Sequence, residues 1–482
     1  MTKPAILWFR QDLRLADNPA LTDAIENEKA VVPVYIYAPE EDDGWPPGSA
    51  TKWWLHHSLQ ALSDELEEHN SYLVIRSGDS LAQLQTIIKR TGADTLLFNK
   101  RYEPEAHEIE EKITAKLSKS GIIVRSFNGS LMREPGLIRN KEGKSFKVFT
   151  AYWRNCLAAN QPRQPLPAPK SIKTFKDRPE SIALEQLALE PKIKWAKGIS
   201  EAWQPGSKGV HKSLKHLTES VIHDYGDSRN RPDQNGVSRF SPHLHFGEVS
   251  PNMIWHVVSE ALRTTSSAKT KTNASIYLKE IGWREFAYDL LVNFPYSTNE
   301  PLYEDYANFP FLKDAHALKA WQKGLTGYPM VDAGMRELWH TGWMHNRVRM
   351  IVGSFLVKDL LLPWQVGAKW FWDTLVDADL ASNTMGWQWV AGCGADAAPY
   401  FRIFNPISQG AKFDPDGKYV RKWVPELAKV PTKYIHSPWL ASKDELRQAG
   451  VELGKDYPLP IVDHAFARTR ALAALKEAKS KI

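Results

Sequence analysis

Glu280, Trp283 and Arg284 stand at i, i+3 and i+4, the spacing that puts three side chains on one face of a helix. A carboxylate, an indole and a guanidinium on one face either form an exposed ion pair beside a packed ring or line a pocket for a flat, polar ligand. His345–Asn346–Arg347–Val348–Arg349–Met350 sets two arginines two residues apart, so on a helix they point in nearly opposite directions. The run from Asp377 through Asp379 to Asn383 adds two carboxylates and a carboxamide. A charge buried alone is costly, so Arg349 is expected to pair with Asp377. Asn235 to Pro242 (NGVSRFSP) combines a tight turn, two hydroxyls and an arginine. Such a segment can offer N–H, hydroxyl and guanidinium donors to a phosphate, although a capped turn has the same pattern.

Eight of the 19 tryptophans fall between Trp321 and Trp389. Indole stacks on flat ligands, attracts cations and gives up an electron to a strong oxidant. A tryptophan-rich helical core accounts for most of them. Trp387 and Trp389, two apart, point to opposite sides of a helix, so one ring can face the interior and the other a cavity. Asn383 precedes Trp387 by one helical turn and shares its face.

These residues need a scaffold. Ala5–Phe9, Val31–Tyr37, Leu73–Arg76, Thr95–Phe98 and Ile122–Arg125 are short, apolar and rich in β-branched or aromatic residues, and helix-like segments such as 52–69 and 105–119 separate them. That order predicts an α/β domain over 1–130, a five-stranded parallel Rossmann-like sheet wrapped by helices. No GxGxxG follows the first strand, so the usual dinucleotide fingerprint is missing. Residues 131–205 read as an interdomain linker, in which QPRQPLPAP (161–169) can form neither a helix nor a central strand. From 206 to 482 the pattern predicts a large all-α domain.

Two distant cysteines, Cys156 and Cys393, suggest structural thiols in a reducing cytoplasm and argue against a disulfide framework or a metal cage. Neither a secretory leader nor a membrane span is expected, because the longest apolar stretch is broken by Lys358 and Asp359. Residues 1–130 carry a net −6 and the remainder +12. An anionic partner, plausible as nucleic acid, is therefore expected on the C-terminal part.

Taken in order, the segments cease to be generic. WFRQDLRLADNPAL (8–21), SRFSPHLHFGEVSP (238–251), EIGWREF (280–286), TGYPMVDAGMREL (326–338), GWMHNRVRM (342–350), DADLASNTMGWQW (377–389) and AAPYFRIFNP (397–406) make the chain resemble the photolyase/cryptochrome family over nearly its whole length. Within it the chain is most similar to the cyclobutane pyrimidine dimer photolyases of classes I and III. The resemblance implies a monomer carrying FAD in the helical domain and damaged DNA as partner. Blue light would drive an electron from reduced FAD into a pyrimidine dimer flipped out of the duplex. The alternative it carries is a cryptochrome-type photoreceptor without repair activity.

By the same resemblance, Tyr225, Ser238, Arg239, Phe240 and Ser241 hold the FAD diphosphate, and Arg284, Arg349, Asp377 and Asp379 line the flavin and ribose. Asn383 faces the reactive ring nitrogen, where plant-type cryptochromes usually carry aspartate. Glu280, Trp283, Asn346, Met350 and Trp389 contact the lesion, while Arg347 and Arg402 bind DNA phosphates. Asn346 and Met350 stand where photolyases for (6-4) lesions carry a histidine pair. Trp387 and Trp364 relay electrons to the flavin. The third, surface tryptophan of that relay falls at Phe311, a departure, since phenylalanine is far harder to oxidise. Tyr303, Tyr306 and Trp370 are neighbouring aromatics that could substitute. Glu103, in KRYEP (100–104), matches the segment beside an antenna chromophore: methenyltetrahydrofolate first, a deazaflavin or second flavin otherwise. The bland reading of Glu103 is a helix cap.

Overall fold

The computed structural model describes residues 3–42, 44–397 and 401–480; of the Ala397–Pro406 motif, residues 398–400 lie outside the described residues. Strands β1 (Ala5–Phe9), β2 (Val31–Tyr37), β3 (Val74–Ser77), β4 (Thr95–Asn99) and β5 (Ile123–Phe127) form one parallel sheet in the order β3-β2-β1-β4-β5. Helices cover both faces, which is why β1, β2 and β4 are nearly continuous apolar runs without alternation. The edge strand β5 is largely exposed and less apolar. The five expected strands match the observed ones within one or two residues.

The chain reverses its direction of sheet growth between β1 and β4, and the loop after β1 carries the WFRQDLRLADNPAL motif. Its polar residues form a buried network. Arg10 pairs with Glu110 at 2.7 Å, and Asp12 accepts from the Arg10 amide at 2.7 Å and from Asn99 at 2.6 Å. Arg14 donates to the carbonyls of Asp17, Gly129 and Gly247. Asp17, fully buried, accepts from the Leu166 amide at 2.8 Å, from Arg163 and from the Ser250 hydroxyl. One loop thus ties together the sheet, the proline-rich connector and the helical domain.

Residues 131–205 are built into both neighbours. Phe175 N–H donates to Val31 C=O, Val31 N–H donates to Lys173 C=O, and Ile182 N–H reaches Ile75 C=O. Upstream, the helix Phe149–Ala158 packs in the core of the helical domain. The axis of that domain is the helix Ala268–Asn293, capped by Ser267 and buried along most of its length. Gly282 on it lies so close to the Trp153 ring that a Cβ would sit 2.4 Å from it, which explains a glycine in the middle of a helix.

Candidate functional site

Glu280, Trp283 and Arg284 leave the helix Ala268–Asn293 toward three different partners. Glu280 pairs with Arg229 at 2.5 Å, Trp283 stacks on Phe149 with ring centres 3.7 Å apart, and Arg284 donates to the Ser130 carbonyl at 2.7 Å while lying over Tyr288. Tyr225, one turn before Arg229, meets Tyr277 edge-on, and Tyr277 donates to the Ser238 hydroxyl at 2.9 Å. Ser238 to Ser241 follow as a turn in which Arg239 adopts a left-handed φ of 58°. Its guanidinium lies 4.2 Å from the Trp203 ring and 5.0 Å from that of Trp343. Phe240 is buried, and Ser241 opens the short helix Ser241–His245 with its side chain exposed.

The helix Asn346–Ser354 sends its arginines in the two expected directions. Arg349 donates from one terminal nitrogen to both carboxylate oxygens of Asp377, at 2.8 and 3.0 Å, and Arg347 donates to Asn230 at 2.6 Å and touches the Met350 sulfur. Asn346 is exposed. Asp379 caps the helix Leu380–Ala391 by accepting from the Ser382 amide at 2.8 Å, and it also accepts from Tyr288. Burial alone would raise this carboxyl, but His245, the Arg284 charge and the Tyr288 hydroxyl together hold it well below the usual carboxylate range. Asn383 donates to the Ala368 carbonyl at 3.1 Å.

Positive charge concentrates at His345. Burial first, then Arg347, Arg349 and Arg229, push its pKa down to about 3. Its Nδ1 accepts from the Arg347 amide at 3.2 Å, so the proton of the neutral ring sits on Nε2, which has no partner. Arg239 Nε and Arg347 Nε are likewise buried without acceptors. Orphaned donors in a positive field suit an anionic, oxygen-rich ligand such as a diphosphate. Among the described residues no group of histidine, cysteine or acidic side chains could hold a metal ion.

The two indoles of the WQW triplet separate as expected. Trp387 is buried, edge-on to Phe371 at 4.9 Å and Trp321 at 6.2 Å, and Gly367 leaves room for its ring. Trp389 is half-buried, stacked on Phe404 at 6.4 Å, with the exposed Arg402 over its face at 5.6 Å. Trp364 is buried and lines a small cavity with Phe311 and Tyr306. One assignment needs correction. A helical core is expected to take most of the tryptophans between Trp321 and Trp389, yet among Trp339, Trp343, Trp370 and Trp372 the first is 47% exposed because it projects from the outer side of the helix Pro329–Thr341. The other three are half-buried, whereas Trp321 is fully buried and donates to the Val352 carbonyl.

A separate crevice opens at the carboxyl ends of β1, β2 and β4, where open parallel sheets place their ligands. Trp8, Arg10, Tyr35, Trp45, Glu103 and Trp372 line it. Glu103 occupies the N-cap position of the helix Pro104–Lys119 but makes no capping hydrogen bond. Its carboxylate accepts instead from Arg101 at 3.3 Å and from the Tyr102 amide at 3.2 Å. Sequence reasoning missed Arg229, His345, Phe149 and Glu285. Only His345 and Glu285, inside the GWMHNRVRM and EIGWREF motifs, carried a signal that could have flagged them.

A parallel-sheet domain joined to a helical domain with an anion-accepting, arginine-rich centre defines a two-domain protein built for a nucleotide-type cofactor. Residues 5–170 match DNA photolyase, and residues 277–477 match the FAD binding domain of DNA photolyase. The chain is 49% identical over 479 residues to a deoxyribodipyrimidine photo-lyase of Agrobacterium fabrum, across 99% of this chain and 98% of the relative. Cryptochrome-1 of Arabidopsis thaliana is 41% identical, across 98% of this chain and 70% of that relative. The crystal structure of a bacterial class III photolyase from Agrobacterium tumefaciens matches with a TM-score of 0.95 at 48% identity, covering 100% of this chain and 98% of that one. The chain belongs to the DNA photolyase family. No helix among the described residues is long and apolar enough to cross a membrane.

Glu285, beside Arg284, accepts from the Met132 and Arg133 amides, and burial raises its pKa from 4.5 to about 7 against the pull of Arg284. The folded state therefore holds a proton that the unfolded chain has released. Stability from this group is full below pH 4.5 and is lost as the pH rises to about 7. Glu285→Gln keeps an acceptor and cannot ionise. Its unfolding free energy in urea should decline less steeply between pH 5 and 7, by up to about 1.4 kcal/mol per pH unit. A slope equal to the wild type would show that Glu285 ionises freely in the folded protein.

Proposed function

We propose that the protein repairs cyclobutane pyrimidine dimers in DNA under blue light, with reduced FAD as electron donor. The observation that carries this reading is the crowd of arginines around neutral His345, an anion-accepting centre beside Glu280 in a chain that belongs to the DNA photolyase family. FAD, when bound and reduced, supplies the light-driven electron. Tyr225, Ser238, Arg239, Phe240 and Ser241 grip its diphosphate through hydroxyl, backbone and guanidinium donors. Arg284, the Arg349–Asp377 pair and Asp379 fix the ribose and ring. Asn383 offers an uncharged carboxamide oxygen to a ring N–H, since its amide nitrogen is already engaged by Ala368. Asn383 favours repair over the cryptochrome reading, which calls for a carboxylate there.

Trp283 and Trp389 supply flat apolar faces on which a flipped dimer stacks in place of its lost base neighbours. Glu280 hydrogen-bonds the lesion bases, with Arg229 orienting its carboxylate. Asn346 and Met350 touch the dimer, while Arg347 and the exposed Arg402 hold phosphates and position the duplex. Trp387 and Trp364 form the electron relay, and Phe311 closes the path where a surface tryptophan would complete it. In the crevice beside the sheet, Glu103 accepts a ring N–H of the antenna, which we assign as methenyltetrahydrofolate, and Trp8, Tyr35 and Trp45 flank the chromophore. The protein acts as a monomer in the cytoplasm.

The decisive measurement mixes the FAD-reduced protein with an oligonucleotide carrying one thymine dimer, with and without blue light. Light-dependent loss of the dimer is expected, and none would overturn the assignment. Glu280→Gln should lower the repair yield by about tenfold, the equivalent of one charge-assisted hydrogen bond. Phe311→Trp should speed photoreduction of the oxidised flavin, followed as bleaching of its absorbance. An unchanged rate would mean that another aromatic already completes the relay. Acid release of the non-flavin chromophore should yield a folate by its absorbance, and Glu103→Ala should abolish its retention while FAD content holds; a deazaflavin or second flavin in the extract would replace the folate assignment.

A further inference from the structure

The helix Phe149–Ala158 begins without a cap of its own. Its N-cap residue is the exposed Val148, whose side chain has no oxygen to offer the first amides. The acceptor comes from 247 residues away: the Phe149 N–H donates to the Asp396 carboxylate at 3.3 Å. The Asp396 N–H donates in return to the Lys147 carbonyl at 3.0 Å. Asp396 holds a left-handed φ of 57° in this exchange, a conformation that costs a non-glycine residue free energy and persists only where its surroundings impose it.

The two ends of this clasp lead to two particular indoles. On one side, the buried Phe149 lies against Trp283 with ring centres 3.7 Å apart and 13° between planes, and it runs nearly parallel to Trp153 at 6.1 Å. Trp153 is wedged against Gly282 and meets Trp255 edge-on, so these rings are closely packed. A planar ring has two faces, and Phe149 takes one face of Trp283; a base can stack only on the other. On the other side, Asp396 follows the helix Leu380–Ala391, which carries Trp389 two residues before its end. The turn between them is fastened. The Cys393 and Gly394 amides both donate to the Gln388 carbonyl at 3.1 Å, and the Gln388 carboxamide bonds the backbone of Ser297, Glu300 and Leu302.

We propose that Phe149 and Asp396 are positioning residues of the lesion pocket: Phe149 presents the free face of Trp283 to a flipped base, and the Asp396 clasp sets the distance between that face and Trp389. The proposal rests on the reading of Trp283 and Trp389 as the stacking walls, and each residue acts through one of them. Stacking attraction exists only at contact distance, and a gap of about 0.5–1 Å already forfeits a quarter to a half of it. A serine or aspartate at position 148 would cap the helix without strain. Recruiting Asp396 instead adds a tie between the two walls.

The test measures dissociation constants of the FAD-loaded protein, in the dark, for two oligonucleotides of one sequence, with and without a single thymine dimer. The readout is the ratio of the two constants, which weaker phosphate binding or lower stability leaves unmoved. Phe149→Leu keeps an apolar side chain without the flat ring and should lower the preference for the dimer about tenfold, the worth of one base stack. Asp396→Gly accepts the left-handed backbone and removes the carboxylate; it should lower the preference about fivefold, the worth of one hydrogen bond. Asp396→Asn keeps an acceptor oxygen and tolerates that backbone, so it should return the ratio to within about twofold of the wild type. The lost charge near Arg402 acts on both oligonucleotides alike. FAD content and the rate of flavin photoreduction should match the wild type in all three. If Phe149→Leu loses its FAD, the two Asp396 variants carry the test alone. A wild type that prefers the dimer, with variants that prefer it equally, overturns the proposal and leaves the repair reading intact. A loss in Asp396→Gly that Asp396→Asn does not reverse also overturns it. A wild type that does not distinguish the two oligonucleotides overturns the repair reading and the proposal together.

Discussion

A charge removed from water must meet its opposite, and two sets of residues organise this molecule around that constraint. In the first, Arg14 and Asp17 sit fully inside the protein at the point where the sheet changes its direction of growth. Neither is tolerable alone. Arg14 is satisfied only by carbonyls from residues 17, 129 and 247, and Asp17 only by donors from residues 163, 166 and 250. Hydrogen-bond satisfaction at this loop therefore joins the two domains, beside contacts such as Trp54 with Glu248 and Ser49 with Asp373. Through these contacts, the crevice of the sheet domain keeps a set position relative to the helical domain.

The second set applies the same constraint in reverse. Around His345 burial first, and then the charges of three arginines, keep the ring neutral, and several donors find no acceptor. A protein core ordinarily satisfies its donors. The departure is local and all of one sign, as expected where an anionic cofactor supplies the missing acceptors. Asp379 shows the complement: a buried carboxylate kept ionised by donors that converge on it, so one fixed negative group remains among the positive ones.

These two sets were not equally legible in the amino-acid sequence. The strands were, because burial on both faces of a parallel sheet demands unbroken apolar runs. The pairing of Arg349 with Asp377 was, since two charges on helices of one core have few ways to avoid isolation. The separation of Trp387 from Trp389 followed from helical geometry alone. By contrast, the partner of Glu280 is Arg229, 51 residues upstream at a helix end with no periodic pattern to reveal it. Phe149, which stacks on Trp283, lies in a stretch that reads as linker. Long-range contacts of this kind depend on how helices cross, which residue spacing does not encode.

Tryptophan shows most clearly where composition stops being informative. Trp321 and Trp339 sit on neighbouring helices in one aromatic stretch, yet one is 0% and the other 47% exposed. Their surroundings decide what each can do. Trp321 has its N–H taken by Val352 and its faces covered by Phe371 and Trp387, so it can only pack. Trp387 is also enclosed but leaves its indole N–H without a partner, a weaker grip on the ring. Trp389 has the charged Arg402 over its half-buried face, a combination suited to an anionic, aromatic strand. Trp339 touches two other indoles, Trp195 and Trp370, and still stands partly open to water. The same side chain thus ends as sealed core or as accessible ring according to which of its two assets, the ring face and the N–H, its neighbours leave free.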